Sequence, residues 1–361
     1  MYLVRKRLTF AYDDITSNPD IDSLNAMRVY WCLKGDFDIS ILNIPGDKVL
    51  SRTPPRNIIN LFRRALIGNN FALMRALMYE KGVVYVSRVP FILASLIYRI
   101  CFHLNYKVVA VIYGGPNSNN KIQKLVFRIL IIPIIRLADG LVYDKVTKVA
   151  PLVERFAKQK INIPSVLVDS DLQQPTKIVK NALLVSLGIS GKKLVGIIGP
   201  FYSFNEPSIA YVQAHIQQFS NDIAFLMIGR YDKKKYKSND RIIFLDYVED
   251  FDGYLAMLDC VLIPRLITTG SPMTKMVRAM ACSVPVVTNE LEGMKARPGE
   301  EVLLGTLEEL PNLVNKLVCD KEKSNELGTK GKMFIDKYYL AKPSMERLRH
   351  FLQARTISGK N

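Results

Sequence analysis

The residues best suited to chemistry lie in one stretch, GSPMTKMVRAMACSVPVVTNE, residues 270–290. Ser271 followed by Pro272 has the residue types of a helix N-cap with proline at the first helical position. From Met273 the apolar residues Met273, Met276, Val277 and Met280 keep the i, i+3, i+4, i+7 spacing of a helix with one buried face. Val284 to Val287 then reads as a short buried strand, with Pro285 near its start, where a missing N–H is tolerated. Such a helix start offers unpaired backbone N–H groups around Ser271 to Thr274, and an anion is bound by those donors together with the helix dipole. Lys275, in the first turn, adds a full charge. An ordinary α/β unit with a solvated lysine near its cap has the same pattern. Ser271, Thr274 and Arg278 fall on one helix face. From there Arg278 either reaches the same anion or pairs outward with Glu290 or Glu292. Arg265, just after the apolar run Asp259 to Ile263, is a further cation at a strand end.

The elements needed to hold these residues alternate between strand and helix. Lys193 to Ile198, Ala224 to Ile228, Ile242 to Leu245 and Asp259 to Ile263 read as buried parallel strands, continuous in apolar residues. A helix over Lys177 to Leu187 precedes them. Upstream, Tyr2 to Phe10, Asp38 to Ile44, Val83 to Val86, Lys107 to Ile112, Gly140 to Tyr143 and Ser165 to Val168 suit a first sheet. Helices are expected over Leu24 to Lys34 and Phe91 to Leu104. Loops at the carboxyl ends of parallel strands are where open α/β sheets place ligands. The polar loop Tyr12 to Asp22 and the turn Tyr113-Gly114-Gly115-Pro116-Asn117 are therefore candidate second-substrate loops. Asp13, Asp14, Asn18, Gly114 and Asn117 are the residues to consider there, beside the plainer reading of solvated, turn-forming residues.

The run from Gly270 through Lys275, Ala279-Met280-Ala281 and Pro285-Val286-Val287-Thr288, with Gly293 and Gly299 to Leu304 beyond, resembles the donor-site signature of family 4 (group 1) glycosyltransferases. The resemblance implies an α/β protein of the GT-B fold, two Rossmann-like domains facing across a cleft. It implies a retaining transfer of a sugar from a nucleotide-sugar donor, with no metal or other cofactor. The domains would be 1–172 on the acceptor side and 173–335 on the donor side, with 336–361 a basic helix returning to the first domain. In the family a glutamate between the lysine and the Ala-Met-Ala run binds the donor ribose. That position is Arg278 here, and a second family glutamate falls on Gly270. Gly199 matches the glycine after the first strand of the donor domain. The arginine and lysine that usually follow it are replaced by Pro200 and by Phe204 or Asn205. Asp246-Tyr247-Val248 matches the segment whose backbone holds the nucleobase. The resemblance thus assigns Gly199, Tyr247, Val248 and Gly270 to Thr274 to donor binding and Lys275 and Arg265 to catalysis; Arg278 is a third catalytic candidate only from the helix face it shares with Ser271 and Thr274. An inactive GT-B protein that only binds a partner or a membrane is the competing reading, favoured by the lost glutamate and the lost basic pair.

With 361 residues, 49% of them hydrophobic, the chain is long enough for two cores of ordinary size. Five widely separated cysteines show no zinc or disulfide spacing and suit a reducing cytoplasm. No apolar leader follows the charged N-terminal residues. The net charge is +17, and residues 51–136 hold 13 Lys or Arg against one acid, Glu80, so that block alone carries 13 − 1 = +12. No zinc-finger, RNP-like or recognition-helix pattern accompanies the charge, which argues against nucleic acid as a partner. The block is also apolar. Ile58, Ile59, Leu61, Phe62, Ala65 and Leu66 form a stripe beside Arg56, Arg63 and Arg64, suited to a core helix or to a helix lying in the interface of an anionic membrane. KIQKLVFRILIIPIIRL, broken at Pro133, is too short to span a bilayer and reads as a largely buried helix.

Overall fold

The computed structural model describes residues 6–13, 33, 37–44, 77–78, 82–87, 89–113, 121–169, 185–201, 205–248, 250–266, 274–291 and 293–357. The chain divides into two compact units, 1–165 together with 341–361, and 166–340.

In the first unit, β1 (Lys6–Asp13), β2 (Phe37–Ile44), β3 (Val83–Ser87), β4 (Lys107–Ile112), β5 (Gly140–Tyr143) and β6 (Lys160–Asn162) form a parallel sheet in the order β2-β1-β3-β4-β5-β6. The described residues include helices α1 (Val89–Cys101), α2 (Lys121–Leu137) and α3 (Ala150–Phe156). Val84, Val86, Val108, Ala110 and Ile112 pack with Ile131, Ile134 and Ile135 of α2. β4 and β5 read as unbroken apolar runs because they are buried on both faces.

In the second unit, β7 (Lys193–Ile198), β8 (Ile223–Ile228), β9 (Ile242–Leu245), β10 (Cys260–Ile263), β11 (Val286–Thr288) and β12 (Leu303–Leu304) form another parallel sheet. Its order is β12-β11-β10-β7-β8-β9. The helices are α4 (Glu206–His215), α5 (Phe251–Ala256), α6 (Thr274–Ala281), α7 (Leu310–Cys319) and α8 (Lys321–Tyr338). Successive strand residues alternate between two apolar layers, as a period of two requires. Leu194, Ile198, Leu226, Val261 and Ile263 meet Met276, Val277 and Met280 of α6, whereas Val195, Ile197, Phe225 and Leu262 meet Ile209, Val212 and Val314. Helix α8 lies tightly against the end of α6. A Cβ on Gly328 would stand 2.2 Å from the Ser283 carbonyl oxygen.

The structure departs from the sequence expectations in several places. β1 runs on to Asp13, so Tyr12 and Asp13 are strand rather than loop residues. The last strand of the first sheet is β6, not Ser165 to Val168; Val168 instead makes a single bridge to Leu340 within the second unit. Ser165 donates its N–H and hydroxyl to the Asp144 carboxylate, which holds it out of any ladder. Helix α2 continues through Pro133. That proline is exposed, so the hydrogen bond it removes is lost on the solvent side. The tail is two helices. α8 ends at Tyr338, and α9 (Ala341–Ile357) begins beyond the Leu340 bridge with Pro343 in its first turn, where proline is tolerated. Helix α9 packs in the first unit: the Arg355 carbonyl accepts from Lys107 Nζ at 2.8 Å, and its guanidinium donates to Gln159. The units thus divide at 165/166 and 340/341 rather than at 172/173 and 335/336. Leu33 is helical and buried; the rest of the helix read over Leu24 to Lys34, and the Ile58 to Leu66 stripe with Arg56, Arg63 and Arg64, lie outside the described residues.

Candidate functional site

The strand order of the second unit reverses at β7. The chain passes from β7 to β8 and β9 on one side, then returns to β10, β11 and β12 on the other. A crevice at the carboxyl ends of β7 and β10 is the expected ligand position in such a sheet. β7 ends at Ile198-Gly199, and β10 ends at Ile263, two residues before Arg265. Gly199 and Gly229 bring the ends of β7 and β8 into contact: a Cβ on Gly229 would stand 3.1 Å from the Gly199 Cα, and φ there is +133°. Only glycine is compatible with both demands.

Lys275, in the first described turn of α6, extends into this strand end. Its Nζ donates to the Ile198 carbonyl at 3.3 Å and to Asn205 Oδ1 at 2.9 Å. Asn205 precedes α4, and because its side chain serves Lys275 it does not cap that helix. Burial, reinforced by the positive charge of Arg265, depresses the Lys275 ammonium from 10.5 to about 8. The Arg265 side chain is fully buried. Its backbone N–H donates to Asn289 Oδ1 at 2.6 Å, and Asn289 Nδ2 donates back to the Arg265 carbonyl at 3.0 Å. The amide of Asn289 thereby continues the pairing of β10 with β11 beyond their last residues and fixes Arg265. Glu290 Oε2 lies 3.7 Å from Arg265 Nε. Two cations at the end of one sheet, one of them beside the Glu290 carboxylate, form a site suited to a multiply charged anion.

Arg278 is directed elsewhere. Its Nε and a terminal nitrogen donate to the two oxygens of Asp252 at 2.9 and 2.7 Å, and the guanidinium lies 4.5 Å from the Phe251 ring centre. Arg278 thus pairs outward rather than joining Lys275, as the second of the two readings had it, but with Asp252; Glu290 faces Arg265 instead. The cause is the approach of α5 to α6, which sets a carboxylate and an aromatic face against the outer side of α6. Tyr247 follows β9 and is exposed, with the Arg230 guanidinium 6.0 Å from its ring centre, and Val248 packs partly buried against the core. Thr274 is half-buried beside Lys275. Gly270, Ser271, Pro272 and Met273 lie outside the described residues, as do Glu292 and, in the first unit, Asp14, Asn18, Gly114 and Asn117. Asp13 is the last residue of β1, at the carboxyl end of the strand where the first sheet reverses its order. Sequence reasoning missed Asp252 and Asn289. Nothing local marks Asp252, but an asparagine directly after the strand Val286–Thr288 was a visible signal.

Residues 192–320 match the family model of group 1 glycosyl transferases. The matched segment lies within the second unit and covers both Lys275 and Arg265. No curated protein matches the sequence. Among solved structures, the Anabaena protein HepE in complex with UDP-glucose is similar with a TM-score of 0.73 at 14% identity, over 97% of this chain and 100% of that one. A sucrose-phosphate synthase from Thermosynechococcus elongatus matches at 0.72 and 13%, over 97% and 99%. A glycosyltransferase from Rickettsia africae matches at 0.70 and 11%, over 99% and 100%. At such identities the likeness is one of fold. The two units, each built on a parallel sheet, share the GT-B fold of these structures.

Proposed function

We propose that the protein is a glycosyltransferase that takes a sugar from a nucleotide-sugar donor and passes it, with retention of configuration, to an acceptor presented at an anionic membrane surface. The observation that carries this reading is the convergence of Lys275 and Arg265 at the carboxyl ends of β7 and β10, within the segment that matches the group 1 family. A leaving nucleoside diphosphate gains negative charge as the glycosidic bond breaks, and fixed cations in a desolvated site stabilise that charge without reorganising. Lys275 retains its proton at pH 7, and a diphosphate would raise its pKa further. HepE is recorded with UDP-glucose and with UDP and glucose, which supports a nucleotide-sugar as the donor here. Retention and the absence of a cofactor follow from the family resemblance, and the membrane surface from the charge of residues 51–136.

The test is release of nucleoside diphosphate from a panel of nucleotide sugars, with the anomeric configuration of the product read by NMR. Turnover of one donor with retention supports the reading; an inverted product removes the retaining assignment. A second reading is favoured by Arg278, whose commitment to Asp252 leaves an arginine where the family has its ribose-binding glutamate. In that reading the protein binds a nucleotide without transferring sugar. Saturable binding with no release of diphosphate from any donor would select it.

A further inference from the structure

Helix α2 carries apolar side chains on two opposite faces. Ile131, Ile134 and Ile135 are buried in the first unit, but Leu125 and Ile129 are 58% and 59% exposed. Pro133 and Arg136 continue their stripe at the i+8 and i+11 positions from Leu125, with the Arg136 guanidinium 4.9 Å from the Phe156 ring centre, and Arg128 lies along its border. Leu137 at the end of the helix is exposed as well. Arg99 of α1 donates to the Leu137 carbonyl at 2.8 Å, which ties the last turn of α1 to the last turn of α2. Exposed Ile100 and Phe102 are thereby set near that end. Residues 89–137 contain six Lys or Arg and no Asp or Glu.

Resting on the membrane reading above, we propose that the outward stripe of α2, with Ile100 and Phe102, is the surface that seats on an anionic lipid bilayer. Leu125, Ile129 and Leu137 would enter the boundary between headgroups and acyl chains, while Arg128 and Arg136 meet lipid phosphates. A helix with apolar side chains toward the lipid and cations at its border suits this position. Among the described residues no helix is long and apolar enough to cross a membrane, so the contact is superficial. Charge selects among possible occupants. A second copy would set this basic region, whose adjoining Asp139 is already paired with Arg99, against its own kind, and the 51–81 segment of the chain is itself basic, with six Lys or Arg against Glu80. An anionic bilayer is complementary to both the charge and the apolar stripe.

The experiment is flotation of the full-length protein, without nucleotide, on phosphatidylcholine vesicles with and without phosphatidylglycerol. The wild type is expected to bind only the anionic vesicles and to be released by salt. Arg128→Gln with Arg136→Gln, and separately Leu125→Gln with Ile129→Gln, should each lower partitioning about tenfold or more without shifting the melting temperature. Ile129→Trp should show blue-shifted emission on anionic vesicles alone. Failure of the wild type to bind either vesicle would overturn the membrane reading itself. Wild-type binding that both double variants retain would overturn only this surface. A lower melting temperature in the glutamine variants, or a change in their sedimentation as oligomers, would show the stripe covered by the protein itself or by a second copy, and would also overturn it.

Discussion

The two sheets differ at the points where their strand order reverses. In the first unit the reversal falls between β1 and β3, and the residue ending β1 is Asp13. In the second it falls between β7 and β10, the arrangement of dinucleotide-binding folds, and Lys275 and Arg265 gather at those strand ends. The first reversal thus has an acidic residue at the end of its first strand, and the second has cations brought in from α6 and from just beyond β10. The proposed donor site is the second. The difference also shows what a cation site requires. The Lys275 ammonium is held by neutral groups, the Ile198 carbonyl and Asn205, while Asn289 fixes the Arg265 backbone and Glu290 stands beside its guanidinium. Arg278, three residues beyond Lys275 on the same helix, meets a full carboxylate and is neutralised.

The largest effect is expected where the helix bearing Lys275 is braced. Gly328→Ala would drive a Cβ into the Ser283 carbonyl at 2.2 Å, and overpacking of this kind costs about 2–3 kcal/mol. Urea denaturation should show that loss, together with weaker nucleotide binding as α6 shifts. The matching change in the first unit, Gly140→Ala, meets the Arg355 and Phe351 side chains at 2.9 and 3.0 Å. It should lower stability by less and leave nucleotide affinity unchanged. If Gly140→Ala also abolished nucleotide binding, the two units would not be separable in this way.

Next in size is Arg278. Arg278→Glu sets a carboxylate against Asp252 and should cost about 1–2 kcal/mol, since both side chains are partly exposed. Combining it with Asp252→Arg should restore most of the loss in urea denaturation. Unchanged stability in the single variant would show that the pair is not formed in solution.

The chain order of strands was legible because β4, β5, β7 and β9 are unbroken apolar runs bounded by turn residues or charges, and their limits were read to the residue. Lys275 was legible too, from its place in a helix start before a buried strand. Its partners were not. Asp252 meets Arg278 through the packing of α5 on α6, 26 residues apart, and no local pattern encodes such a contact. Pro133 and the tail were misread because local rules were allowed to outweigh tertiary context. Proline on the solvent side of a long helix removes one exposed hydrogen bond, and Leu340 interrupts an otherwise helical pattern by pairing with Val168. The outward stripe of α2 was hidden because apolar residues on both faces look, in sequence, like a buried helix.

The smallest effect is one of pH. Lys275 in the free protein titrates near 8, and a bound diphosphate raises that value. The charged form is the binding form, so affinity should be full below pH 8 and fall as pH rises through it, by about tenfold per unit until the bound-state pKa is reached. Burial lowers this lysine, so the same group makes the unliganded protein more stable as pH rises from about 8 toward 10.5. Nucleotide affinity and unliganded stability should therefore move in opposite directions across that window.

The central claim is that the donor diphosphate is held at the carboxyl ends of β7 and β10 by Lys275. Calorimetric titration of a panel of nucleoside diphosphates into the wild type, Lys275→Ala and Asp13→Asn at pH 7 tests it most directly. The account predicts that one nucleotide binds the wild type, that Lys275→Ala weakens it by roughly 1.5–3 kcal/mol, the range for hydrogen bonds to charged groups, and that Asp13→Asn does not weaken it. Equal affinity in wild type and Lys275→Ala, with tighter binding in Asp13→Asn, would place the nucleotide beside Asp13 in the first unit and contradict the account.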